Sequence, residues 1–169
     1  MSIKDKINEN IKSAFKSGLS DEVSVLRFLS SVIKNKELEK RSRLSKEGKD
    51  LADLEKLSEL SDEEIASVIS GEIKKRKDSI TQYEKGGRND LVKKETAELE
   101  ILKKYAPAEM PEEELRALIK NKVAGLSAQA GQKDFGKAMG LVMAEVKGRA
   151  DGVAVKRIIE EEMKNEAYP

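Results

Sequence analysis

Ile3, Ile7, Ile11 and Phe15 recur at the spacing of one helix face, and Gly18 follows them as a helix-ending glycine should. Val25, Leu26, Leu29, Val32 and Ile33 mark a second helix, with Ser20 or Asp21 as its cap. From Glu37 to Glu59 the apolar pattern thins into RSRLSKEGKDLADLEKLSE, which reads as a charged, mobile helix end or linker broken at Gly48. At Ser61 to Glu64, SDEE is a capping box, in which a hydroxyl and a carboxylate serve each other's orphan amides. The helix it opens carries Ile65, Ile69, Ile73, Ile80 and Tyr83 on one side and stops at Gly86 and Gly87. Asn89 or Asp90 starts the next, with Leu91, Val92, Leu99, Leu102 and Tyr105, which ends before Pro107.

After Pro107 and Pro111 the pattern begins again. Glu112, Glu113 and Glu114 fill a first turn, where the helix dipole favours acids. That helix runs through Leu115, Leu118, Ile119 and Val123 and fades in GLSAQAGQ. The next carries Phe135, Met139, Val142, Met143 and Val146. KGRADG then turns the chain into a last helix with Val155, Ile158, Ile159 and Met163. No stretch alternates with period two and no hairpin signal appears. The expected fold is all-α: a four-helix N-terminal bundle over 1–105, followed by a small three-helix domain over 106–169.

Composition sharpens this. Charged residues make up 38% of 169 and aromatics only 4%, with a mean hydropathy of −0.60, which suits thin bundles with narrow apolar seams. No apolar run approaches the ~20 residues of a membrane span. MSIKDKINENIK puts charges where a signal peptide would be apolar, and there is no cysteine. A cytoplasmic protein without membrane association is expected. The absence of His and Cys removes Cys/His zinc sites, His-bearing di-iron motifs and Ser-His or Cys-His nucleophilic pairs. No glycine-rich phosphate cradle is present. A partner-binding protein with no cofactor and no metal is therefore expected. The net charge of +1 gives no global pull toward DNA or RNA. The stretch from Lys133 to Arg157, however, holds six basic and three acidic residues.

Four groups of residues fall out of pattern. Arg76 sits on the Ile73–Ile80–Tyr83 stripe, and Glu95 and Glu98 sit on the Leu91–Leu102–Tyr105 line of the helix that folds back on it. Charges on facing seams suggest an ion-pair cluster fixing register. The sharper alternative is a paired-carboxylate site for acid–base work or a metal. The run from Lys74 to Lys77 reads as a solvated helix face, or as a phosphate contact. Gly136, Gly140 and Ala144 form a stripe beside the Phe135–Met139–Met143 side. Glycine costs ~1 kcal/mol in a helix, so a close approach is implied, by another helix or by a nucleic-acid strand. Lys137, Lys147, Arg149, Lys156 and Arg157 crowd the helix–turn–helix corner beside it. No aromatic platform accompanies them, which favours backbone contact over base stacking.

These motifs carry a resemblance. FGKAMGLVMAEVKGRADG, from Phe135 to Gly152, with the following VAVKRIIEEEM, resembles the signature shared by YqeY-type proteins and the tail of the amidotransferase subunit GatB. IKKRKDSITQYEKGGRNDLVKKETAELEILKKYAP, from Ile73 to Pro107, and the early SVLRFLSSVIKNKE resemble YqeY proteins. The resemblance covers nearly the whole chain apart from Arg41 to Glu59. It implies four helices followed by three. The GatB tail helps hold a misacylated tRNA while glutamine-derived ammonia amidates it. The chain lacks both the amidase signature and the length for the GatB cradle, so carbon–nitrogen ligase activity passes to it as an association. What the resemblance implies best is tRNA binding through Lys137, Lys147, Arg149 and their neighbours. Amidotransferase or aminoacyl-tRNA synthetase machinery would then be the wider partners. The alternative is a protein-interaction adaptor with no RNA role. A stand-alone enzyme using Glu95 or Glu98 is a third reading.

Overall fold

The structure, a computed structural model, describes residues 1–130, 135–146 and 148–165. Every regular element among these is a helix: α1 (Ile3–Lys16), α2 (Ser20–Lys46), α3 (Leu51–Ser58), α4 (Asp62–Lys85), α5 (Asn89–Lys103), α6 (Glu112–Ala130), α7 (Phe135–Val146) and α8 (Gly152–Asn165). The chain divides into two compact units, Met1–Ala106 and Pro107–Pro169. Pro107 has no N–H to give and disfavours helix in the residue before it, so α5 cannot run on into α6.

The first unit is built on α2. Its Val25, Leu26, Leu29 and Ile33 pack with Ile7 of α1, Ile65 and Ile69 of α4, Leu102 of α5, and Tyr105. The Tyr105 hydroxyl accepts from Asn10 Nδ2 at 2.7 Å, so burying the ring leaves no polar atom stranded. The expected capping box at the head of α4 is present, with the Glu64 amide donating to Ser61 Oγ and the Ser61 amide to the Glu64 carboxylate. The expected polar cap of α2 is not. Leu19 occupies the N-cap position, makes no side-chain cap, and leaves Ser20 and Asp21 inside the helix. The stripe read for α1 also turns at its end. Ala14 takes the buried position and Phe15 stands 69% exposed.

This unit holds five helices rather than the four expected, and the correction falls in the charged segment. α2 continues to Lys46 and ends at Gly48, where φ of +80° suits a residue without Cβ. Asp50 then caps α3 by accepting from the Ala52 amide, and Leu54 is buried against α2. Of the three leucines of α3 only Leu54 is buried, a weak signal among so many charges, which is why the segment reads as a linker. Its end is held by Lys40, whose Nζ donates to the Glu59 carbonyl at 3.0 Å and pairs with Glu64 at 2.9 Å.

The second unit closes three helices around Leu115, Ile119 and Val123 of α6, Ala138, Val142 and Val146 of α7, and Val155, Ile158 and Ile159 of α8. The α6 backbone stays helical to Ala130, beyond the Gly125 at which it was expected to fade.

Candidate functional site

The cationic corner of the second unit begins where α7 ends. Gly148 takes φ of +79°, and the Arg149 amide donates to the Val146 carbonyl at 2.8 Å. Asp151 caps α8 through the Val153 amide at 2.8 Å. Arg149 is thereby tied into the framework. Its carbonyl accepts from the Met110 amide at 2.7 Å, and its Nε donates to the Ala108 carbonyl at 3.3 Å. Its Nη2 lies 3.4 Å from Glu114. It braces the chain that enters α6 as much as it faces solvent.

Arg157 is also committed, to Glu112 at 3.3 Å and to Glu161 at 3.1 Å. Arg116 completes a ring by meeting the same two acids at 3.0 and 2.8 Å. Hydrogen bonds from Arg116 first, and from Arg157, hold the Glu112 and Glu161 carboxyls below the usual glutamate range. Lys156 has Glu160 at 3.9 Å on its own helix, a weak exposed pair. Lys137 lies exposed on α7. Lys147 lies outside the described residues. The corner's cations are thus interleaved with acids from α6 and α8, a pairing that distance along the chain conceals.

The outer face of α7 is open. Gly136, Gly140 and Ala144 are all exposed, and a Cβ built on Gly140 would meet nothing within 4 Å. The helix-contact reading therefore does not hold at Gly140. Exposed Leu141 and Met143 flank it.

The second constellation lies in the first unit. The α4–α5 turn is closed by the Arg88 amide donating to the Tyr83 carbonyl at 2.9 Å, across Gly87 at φ of +68°. The two helices run back along each other, which brings Arg76 onto both acids. Its Nη1 donates to Glu95 Oε2 at 2.8 Å and also pairs with Glu98. The Arg76 side chain is only 13% exposed and the two carboxylates 20% each. The Phe28 ring centroid lies 5.8 Å from the guanidinium carbon. Arg76 Nε is buried and bonds nothing among the described residues. Two acids converging on one guanidinium nitrogen form the ion-pair cluster that the facing seams suggest. The Lys74–Lys77 run splits up: Arg76 turns inward, while Lys75 pairs at 2.7 Å with the buried carboxylate of Glu72.

Two buried acids escape sequence reasoning. Glu37 is reached by Lys4 at 2.6 Å and accepts from the Leu60 amide at 3.4 Å, beside a cavity of about 140 Å³ lined by Lys4, Asn8, Ser30 and Lys34. The other is Glu72. Their trace in sequence is a place on the apolar stripe, Glu37 four residues after Ile33 and Glu72 three after Ile69. Among the described residues no three His, Cys, Asp or Glu side chains gather as metal ligands, and no helix is long and apolar enough to cross a membrane.

Comparison with known proteins covers both units. A fungal protein from Pyrenophora tritici-repentis, "Altered inheritance of mitochondria protein 41, mitochondrial", is 38% identical over 104 residues, or 59% of this chain and 56% of that protein. The matched stretch thus spans about half the length of this curated relative. The profile of the Yqey-like protein family matches residues 4–163, from α1 to the last turns of α8. A match of that extent, through both helical units, establishes that the chain belongs to the family of Yqey-like proteins.

Proposed function

We propose that the protein is a non-catalytic module that holds tRNA on its second unit, as an accessory to tRNA-dependent amidation with glutamine as nitrogen donor. The observation that carries this is the open face of α7, where Gly136, Gly140 and Ala144 leave a smooth strip with nothing above Gly140. Glycine at an exposed helical position weakens the helix by roughly 0.5–1 kcal/mol against alanine and gives no packing in return within the unit. A sugar–phosphate backbone lying close against the helix supplies the missing reason. Lys137 and Lys156 are exposed nearby in sequence. The resemblance of this same stretch to the tRNA-holding tail of GatB supports the choice of RNA.

The test is a filter-binding titration of bulk tRNA against salt, on the full chain and on Gly140→Ala and Gly140→Leu. The alanine variant should melt higher, by roughly 0.5–1 kcal/mol, while both variants bind tRNA more weakly. Weak, salt-sensitive binding with little preference among tRNAs is expected, because phosphate contacts carry little sequence information. Absence of binding at low salt would refute the reading. A second reading, a protein-interaction adaptor, is favoured by the ion-paired state of Arg149 and Arg157 and by exposed Leu141 and Val153. It expects no tRNA binding at any salt concentration.

A further inference from the structure

The first unit carries an apolar surface that the tRNA reading does not use. Where α1 turns into α2, a cleft of about 460 Å³ opens between Phe15 and the stripe Leu19, Val23 and Arg27, with Ser20 and Ser24 on its wall. Phe15 is 69% exposed and Leu19 51%, while Val23 is buried and forms the floor. Neither exposed residue serves its own helix. The apolar place in α1 is taken by Ala14, and Leu19 stands at an N-cap position where a polar side chain would stabilise α2. Arg27 ends the stripe two turns beyond Leu19, and among the described residues its guanidinium meets no carboxylate. Lys16, in the last turn of α1, adds a second exposed cation next to Phe15.

We propose that this cleft docks an acidic amphipathic helix of a partner protein, with apolar side chains seated on Phe15, Leu19 and Val23 and a carboxylate paired with Arg27. Charge complementarity selects an acid at that end. Size and openness select a protein segment. Leu19 to Arg27 runs about 12 Å along α2, the length of two turns of a partner helix. A small amphiphile on walls this exposed would keep much of its own surface wet, whereas small-molecule sites enclose most of their ligand. The pattern that fits is apolar anchors at i and i+4, with a Glu or Asp one turn further on.

The probe is a displayed library of random peptides about 16 residues long, long enough to form helix, selected against the full-length protein. Selection should enrich the acidic amphipathic pattern. Phe15→Ser and Arg27→Glu, both at exposed positions, should keep the melting midpoint and each weaken the selected peptide at least tenfold. A peptide with its acid changed to lysine should regain binding to Arg27→Glu. Peptides that lack the acid, or that bind both variants as tightly as the parent, would overturn the proposal. So would dodecanoate that saturates the cleft and displaces the peptide. A concentration-dependent dimer abolished by Phe15→Ser would overturn it in favour of a second copy of this chain. None of these outcomes involves tRNA, so this proposal and the tRNA reading fail separately.

Discussion

Changing Arg76 to Ala removes one cation from between two carboxylates that are each about four-fifths shielded from water. Breaking a buried ion pair on one side costs roughly 3–5 kcal/mol, because the remaining charge stays desolvated. Glu95 and Glu98 retain an edge to solvent, which places the loss near the lower end, about 3 kcal/mol. For a unit of this size that corresponds to a drop in Tm of about 12 °C or more. The partners separate this from lost packing. Arg76→Ala with Glu95→Gln and Glu98→Gln should recover a good part of the loss, since no unpaired charge remains. Arg76→Lys supplies a finer check. Both acids meet Nη1 while Nε bonds nothing. The guanidinium is therefore not used as a two-pronged fork, and a single ammonium should retain more than half the stabilisation. Urea denaturation followed by circular dichroism measures all four proteins. A loss below about 0.5 kcal/mol for Arg76→Ala, or a triple variant no better than the single one, would refute the burial argument.

Three further outcomes are expected. Lys4→Ala strips the close partner from the buried Glu37 carboxylate and should cost about 1–3 kcal/mol, whereas Lys34→Ala, exposed and 3.9 Å away, should stay within about 0.5 kcal/mol in the same denaturation assay. The hydrogen bonds from Arg88 take the Asp90 carboxyl from 3.8 down to about 2. Its folded value lies below its unfolded one, so its contribution is present above about pH 4 and lost as pH falls toward 2. Carboxyl NMR should record the low value in the parent and a return toward 3.8 in Arg88→Ala. The isolated protein should release no ammonia from glutamine, because it has neither His, Cys nor an amidase signature. Release above buffer background that is abolished by a point change would contradict this.

What could be read from sequence was local. The Ser61–Glu64 box and the stop at Gly48 depend on residues within one turn of each other, and both stand as read. The meeting of Arg76 with Glu95 and Glu98 can be inferred from position, since a tight turn forces two charge-interrupted stripes together. Phe15 misleads because a four-residue period marks a face without saying how far the neighbouring helix extends along it. Smaller Ala14 fills the last core position. α3 is missed because its burial rests on a single leucine. The pairing of Arg157 with Glu112 and of Arg149 with the Ala108 carbonyl joins residues 45 and 41 positions apart. No window count detects it.

That last point bears on how tRNA would be held. Six cations in the stretch from Lys133 to Arg157, all neutralising phosphates, would give a slope of log K against log salt of roughly −4 to −5. In the folded unit Arg149 already faces Glu114, and Arg157 faces Glu112 and Glu161. A phosphate must displace those carboxylates before it gains either cation, and the exchange of one anion for another releases little. The four lysines that remain give an expected slope of roughly −3 to −4, and Lys156→Ala should flatten it by ~1. Glu112→Gln frees Arg157 from one of its two acids, so it should raise tRNA affinity and steepen the slope by up to ~1. A parent slope near −5 that Glu112→Gln leaves unchanged would mean that the ion pairs of the corner do not compete with RNA, and that the phosphates lie elsewhere on the chain.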